Sequence, residues 1–180
     1  SIPNRFYLTG FETSDGFVVV TKNYAVFLVD FRYIEKAKEI INSMDVKQLE
    51  RADKDILRVL EQDNIKTLYV ETESLSVADF NGYKNAFSNL TLSTENVIDK
   101  ALKDARAVKS EQELEYIKKA QDLTDKTFDY ILTKIKPGKT EKEIMLDMEF
   151  FMRSLGSEGV SFDFIVVSGK NSSLPHGVPT

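Results

Sequence analysis

Cysteine is absent from the chain, and a single histidine and four prolines are spread over its 180 residues. Without cysteine there is no disulfide framework, no thiolate metal site and no cysteine nucleophile. That composition suits a cytoplasmic protein. No apolar run reaches the 18 or so residues that a membrane-spanning helix needs, and no signal peptide is visible. The formal net charge is −5, which argues against a broad nucleic-acid-binding surface. No glycine-rich phosphate loop follows a β-rich run, so a nucleotide-binding fold is not supported. Internal repeats and low-complexity tracts are missing as well. Asn89-Leu90-Thr91 and Asn171-Ser172-Ser173 match glycosylation sequons, and with nothing else secretory in the chain they read as chance matches.

What is present is organised around Arg106 to His176. Ser110-Glu111-Gln112-Glu113 has the capping-box pattern, and Glu111, Glu113 and Glu115 place negative charge at the positive end of a helix. Leu114, Ile117, Gln121, Thr124, Phe128, Ile131 and Ile135 alternate in steps of three and four, which predicts one continuous face, weakened at Gln121 and Thr124. Lys136-Pro137-Gly138 ends that helix. Thr140-Glu141-Lys142-Glu143 repeats the box. Ile144, Met148, Phe151 and Leu155 give the next helix its buried stripe, which Gly156 and Gly159 stop. Phe162 to Val167 reads as a strand. A loop, Ser168 to Ser173, leads into Leu174-Pro175-His176-Gly177.

The preceding residues interleave strands with helices. Phe6-Tyr7-Leu8 reads as a short strand and Asp15-Gly16 as a turn. Phe17 to Thr21 and Tyr24 to Val29 form a hairpin around Lys22-Asn23. Asp30 is expected to cap a helix with Ala37, Ile40 and Ile41 on its inner face, and Arg32 to anchor to a nearby carboxylate or carbonyl. A strand at Val46 to Leu49 follows, then a helix containing Ile56, Leu57 and Leu60 that ends near Asn64. Next come a strand at Thr67 to Val70 and a helix carrying Val77, Phe80, Tyr83, Ala86, Phe87 and Leu90. Val97 to Ala101 reads as a last strand or turn. Tyr7, Phe11, Tyr33, Phe80, Tyr83 and Phe87 are core candidates. The expected architecture is an α/β unit, a mixed sheet flanked by helices over residues 1–105, with the charged run Lys100 to Lys109 as the linker to residues 106–180.

Several local patterns resemble, in order and spacing, the creatinase/prolidase group of pita-bread metallopeptidases, and Xaa-Pro dipeptidases and aminopeptidases most of all. They are Phe6-Tyr7-Leu8-Thr9-Gly10-Phe11, Val29-Asp30-Phe31-Arg32-Tyr33, Arg106-Ala107-Val108-Lys109-Ser110, Lys136-Pro137-Gly138-Lys139-Thr140-Glu141, Phe164-Ile165-Val166-Val167-Ser168-Gly169 and Pro175-His176-Gly177. The resemblance implies a creatinase-like N-terminal α/β domain over residues 1–105. It implies the beginning of an incomplete pita-bread α+β domain over 106–180. It also implies two divalent metal ions, typically manganese, that activate a bridging water against the peptide bond before proline. The family's ligands, two Asp, one His and two Glu, lie beyond the Pro-His-Gly segment. No metal or cofactor site is therefore expected in this chain, which by itself is expected to be an inactive fragment, clipped also at its start. Homodimerisation, a proline-containing peptide substrate and a cytoplasmic location are further implications, with no nucleic-acid or membrane partner.

One family site residue maps onto this sequence. His176 resembles the histidine that lines the substrate pocket and donates a hydrogen bond to substrate or intermediate without ligating metal. The chemistry is sound, since a neutral imidazole can donate its N–H toward a developing oxyanion. The plainer alternative is a loop histidine bonded to backbone. Two other functions stay open at this stage. One is a non-catalytic peptidase-like binding or dimerisation module. The other is a two-metal nuclease in which Asp15 and Asp30 converge, against which the chain's poor electropositivity counts.

Overall fold

The computed structural model describes residues 1–180. The chain divides into two compact units, Ser1–Val108 and Lys109–Thr180.

The first unit runs α1 (Ile2–Thr9), β1 (Phe17–Val20), β2 (Ala25–Val29), α2 (Ile34–Ile40), β3 (Asp45–Gln48), α3 (Ala52–Gln62), β4 (Thr67–Tyr69), α4 (Val77–Ala86), β5 (Thr91–Ser93) and α5 (Val97–Ala107). The expected hairpin is present: β1 and β2 pair antiparallel, from Phe17 opposite Leu28 to Val20 opposite Ala25. Strand β3 joins the other edge of β2 in parallel, which requires a crossover, and α2 supplies it. The α4 crossover likewise makes β4 and β5 a parallel pair in a second, two-stranded sheet.

Strand β2 is central, and Val26, Phe27, Leu28 and Val29 are all buried. Its side chains alternate between two apolar clusters, as the period of two dictates. Val26 and Leu28 pack with Val19, Ile56, Val59, Leu60 and Phe87. Phe27 and Val29 pack with Ala37 and Ile41. Gly16 enters β1 at φ 128°, and a Cβ there would lie 2.8 Å from the Phe27 ring and 3.0 Å from the Leu28 carbonyl oxygen. Only glycine accepts both constraints.

Local sequence misleads at several places in this unit. Phe6-Tyr7-Leu8 is helical, because Pro3 starts α1 in its first turn and Gly10 ends it at φ 65° with its N–H on the Phe6 carbonyl; a three-residue apolar run cannot tell strand from helix. Val97 to Ala101 opens α5, which takes up the charged run expected as a linker as far as Ala107. Buried Asp99 accepts from the Thr72 N–H and hydroxyl at 2.7 and 2.9 Å, while Lys100 pairs with Asp104 and Lys103 with Glu73 at the surface. The last strand lies earlier, at Thr91–Ser93. Asp30 does not cap α2, whose N-cap is Tyr33. Instead Asp30 accepts from the Arg32 N–H at 2.8 Å and is gripped by the Arg32 guanidinium. Of the aromatic candidates, Phe87 is fully buried, Phe11, Tyr33, Phe80 and Tyr83 are half-buried, and Tyr7 is exposed. Ile40 and Val77, expected to face inward, are exposed too.

The second unit holds α6 (Glu111–Leu132) and α7 (Glu141–Ser154). Both capping boxes form: Ser110 with Glu113, and Thr140 with Glu143. The helices meet through Tyr130 and Phe151, whose rings stack at 3.9 Å, and through buried Thr127, Ile131 and Ile144. The stripe read from the sequence is only partly the buried one. Leu114, Ile117, Phe128, Ile135 and Leu155 are exposed, and so are Leu146 and Phe150. Phe162 to Val167 forms no strand. A strand is defined by its ladder of partners, and no strand pairs with this segment.

Candidate functional site

The site is built where the first turn of α7 meets the loop that carries His176. Gly138, at φ 94°, closes the turn after Pro137. Thr140 then accepts the Glu143 N–H at 3.1 Å while the Glu143 carboxylate accepts the Thr140 N–H at 2.8 Å, which fixes the start of the helix. Glu141 is thereby placed at the first helical position, where the backbone dipole favours a negative charge. Its side chain does not point into solvent, as an acidic residue in a first turn commonly does, and it is almost fully buried.

Both oxygens of Glu141 are saturated. Oε1 accepts from the Ser168 N–H at 2.6 Å and the Ser168 hydroxyl at 3.1 Å. Oε2 accepts from the Thr180 N–H at 3.0 Å and the Thr180 hydroxyl at 2.9 Å. The Asn171 amide lies across both, 3.2 Å from Oε1 and 3.0 Å from Oε2. These donors lower the carboxyl from its ordinary 4.5 to about 2, the Ser168 N–H contributing most, then the Asn171 amide and the Thr180 N–H, against the opposing effect of burial. The Lys142 N–H adds a backbone bond to the Thr180 carbonyl at 3.1 Å.

Between these anchors the loop is compact. A short 3-10 turn covers Gly169–Ser173, and the Gly177 N–H bonds the Leu174 carbonyl at 3.1 Å. Gly177 is buried, and a Cβ there would come within 2.6 Å of Val167 Cγ1. The chain thus passes Val167 at a distance only glycine permits, and the preceding residue, His176, is exposed. Of the residues read from the sequence as site candidates, His176 is the one this loop presents. Asp15 and Asp30 do not converge on a metal position. Asp15 accepts the Gly16 N–H at 2.7 Å in a turn, and Asp30 is held below the usual carboxylate range by the Arg32 guanidinium. No group of three or more His, Cys, Asp or Glu side chains in the chain could hold a metal ion. No helix is long and apolar enough to cross a membrane.

Glu141 is the residue that sequence reading passed over. Its pattern is that of any acidic residue in a first helical turn, and its partners lie 27 to 39 positions away. No local periodicity encodes such a contact.

The α/β unit followed by a capped helix pair and a Pro-His-Gly loop defines the class. Residues 1–117 match the Creatinase/Prolidase N-terminal domain and residues 115–180 match Metallopeptidase family M24. The chain belongs to the creatinase/prolidase family, close to the Xaa-Pro dipeptidases and aminopeptidases. Its fold is the creatinase-like α/β domain followed by part of a pita-bread catalytic domain. Among curated relatives, the Uncharacterized peptidase YqhT of Bacillus subtilis is 35% identical over 97% of this chain and 49% of its own length. The Xaa-Pro dipeptidase of Pyrococcus horikoshii is 30% identical over 98% and 48% respectively. Among solved structures, the Xaa-Pro dipeptidase from Bacillus anthracis superposes with a TM-score of 0.89 at 30% identity, covering all of this chain and 50% of that one. The X-Pro aminopeptidase from Thermotoga maritima gives 0.88 at 31%, covering all of this chain and 51% of that one. The chain spans about half the length of the curated relatives it matches.

A pH prediction follows from Glu141. Its carboxyl is held below its ordinary value in the folded chain, so its contribution to holding the loop is complete above pH 4.5 and lost as pH falls through about 2. The amide resonances of Ser168 and Thr180 should therefore titrate together, with a midpoint near 2. A common midpoint at 4.5 would show that the carboxylate is not engaged.

Proposed function

We propose that the whole protein is a metal-dependent exopeptidase that hydrolyses the peptide bond preceding proline, as a dipeptidase or an aminopeptidase. The observation that supports this is a match running through 98% or more of this chain with proteins described as Xaa-Pro dipeptidases and aminopeptidases. On this reading His176 is the substrate-contacting group contributed by residues 1–180. It is the only imidazole in the chain, and it stands exposed on a loop whose base is fixed. A donor preplaced in this way costs no reorganisation when charge develops on the scissile carbonyl. The proposal also includes two divalent metal ions, manganese by preference, a homodimeric assembly and a cytoplasmic location. It leaves residues 1–105 a scaffolding and substrate-rim role, without chemistry of their own.

The test is direct. The purified whole protein, loaded with manganese, is offered Xaa-Pro dipeptides, longer peptides with proline second, and matched peptides without proline. Cleavage restricted to the proline series, and stopped by a chelator, is the expected result. Dipeptides alone being cleaved selects the dipeptidase, and longer peptides being cleaved selects the aminopeptidase. No cleavage of either series overturns the proposal.

A further inference from the structure

We propose that Glu141 is a positioning residue for the reaction: by gathering Ser168, Asn171 and Thr180 onto one buried carboxylate, it sets where the Pro175-His176-Gly177 loop presents the imidazole. The proposal rests on the reading of His176 as the substrate-contacting group.

Three features of the geometry carry it. The loop is tied on both sides of His176 to the same side chain, since Ser168 and Asn171 precede the histidine and Thr180 follows it. The tie is made by charge-assisted bonds from N–H and O–H donors to a carboxylate, the stronger class of hydrogen bond. The carboxylate is itself mounted on a rigid support, a helix of 14 residues whose first turn is closed by the Thr140–Glu143 box. Glu141 also keeps its distance from chemistry: it is almost fully buried, and every hydrogen bond it accepts comes from the loop. A group of this kind acts on turnover only by fixing another group's position, and small displacements of a reacting group are costly. The close approach of Gly177 to Val167 removes the remaining freedom next to the histidine. With both ends and one flank fixed, the ring's own torsions are the main freedom left.

A purely architectural role for Glu141 would lower stability without acting through His176. The distinguishing experiment is a double-mutant cycle on the whole protein, reading kcat and KM for an Xaa-Pro peptide with Glu141→Gln, His176→Ala and the pair together. Glutamine keeps an acceptor oxygen but removes the charge and turns one oxygen into an N–H2 that faces donors. The expected result is a loss in kcat of about tenfold or more for Glu141→Gln, with KM within about twofold. The double variant should be no slower than His176→Ala alone, because a misplaced histidine and a missing one are the same defect. Asn171→Ala, which leaves the charge in place and removes one donor, should give a smaller loss with the same non-additivity. It also serves if the Glu141 variant does not fold.

Unchanged kcat in both Glu141→Gln and Asn171→Ala, or losses that multiply fully with that of His176→Ala, overturn the positioning role and leave the reading of His176 intact. An unchanged kcat in His176→Ala overturns that reading and the positioning role with it. As a readout independent of activity, the His176 imidazole resonances of the whole protein, assigned by their disappearance in His176→Ala, should narrow toward those of a free, mobile ring in Glu141→Gln, with the aromatic resonances of Tyr130 and Phe151 unmoved. Imidazole resonances identical to the unmodified chain's would also overturn the proposal.

Discussion

Replacing His176 by alanine in the whole protein should lower turnover of an Xaa-Pro peptide by about 100-fold or more while leaving the folded state as stable as before. The size comes from the role assigned to the ring: loss of one preorganised donor to a developing oxyanion typically removes two to three orders of magnitude, roughly, from kcat. The second half of the expectation comes from the structure. The side chain is exposed, and substitutions at exposed positions without special geometry stay within about 0.5 kcal/mol. The loop's order comes from elsewhere, from Glu141 below it and Gly177 against Val167. Alanine at 176 disturbs neither. Glutamine at the same position keeps an N–H donor and should retain more turnover than alanine. The measurements are steady-state kinetics on the three proteins and their thermal unfolding. Equal turnover, or a loss of turnover matched by a loss of stability, would remove His176 from the chemistry.

Much of this arrangement is legible in the amino-acid sequence, for identifiable reasons. The helix starts at Ser110 and Thr140 were readable because a capping box is a local pattern, complete within four residues. The hairpin was readable because two β-rich runs flank a short polar turn, and α3 because Ile56, Leu57 and Leu60 match the helical period. His176 stands out in the sequence as the only histidine, between prolines, within a segment resembling a known family, and its role is the one proposed above. The errors share one cause. Phe6 to Leu8, Val97 to Ala101 and Phe162 to Val167 are short runs whose own residues do not decide their state. The first belongs to a helix framed by Pro3 and Gly10. The second belongs to a helix whose buried Asp99 answers to Thr72, and the third lacks any strand to pair with. Asp30 was misread in the same way, since a carboxylate after a strand suits a cap until a guanidinium two residues on claims it. Glu141 is the extreme case: nothing within its own helix separates it from Glu111, which holds the same position in α6, and only the fold brings Ser168, Asn171 and Thr180 to it.

Replacing Phe27 by alanine should cost the first unit about 3–5 kcal/mol, the largest stability effect of any single truncation in the chain. Phe27 is fully buried on the central strand. Hydrogen-bonded strands flank β2 on both edges, so its backbone has no freedom to move inward and fill the space. On one side the ring packs with Val29, Ala37 and Ile41. On the other its edge lies over Gly16, so close that even a methyl group there would clash. A cavity enclosed in this way collapses little, and the cost of a large-to-small substitution rises with the volume that stays empty. Leucine at 27 keeps most of the volume and should cost markedly less. Alanine at Phe31, four residues on but 74% exposed, should be nearly neutral. A domain of about 100 residues has a total stability of roughly 5–15 kcal/mol, so the Phe27 loss would take about a fifth of it or more and lower the midpoint of thermal unfolding by roughly 12 °C or more. Amide exchange at Val26 and Leu28, compared with exchange at Ile131 in the second unit, gives the reading for each unit separately. Exchange at β2 accelerated by orders of magnitude while Ile131 is unaffected is the expected outcome. Equal acceleration in both would mean that the two units unfold as one, and no acceleration at β2 would mean that the interior packs around the missing ring.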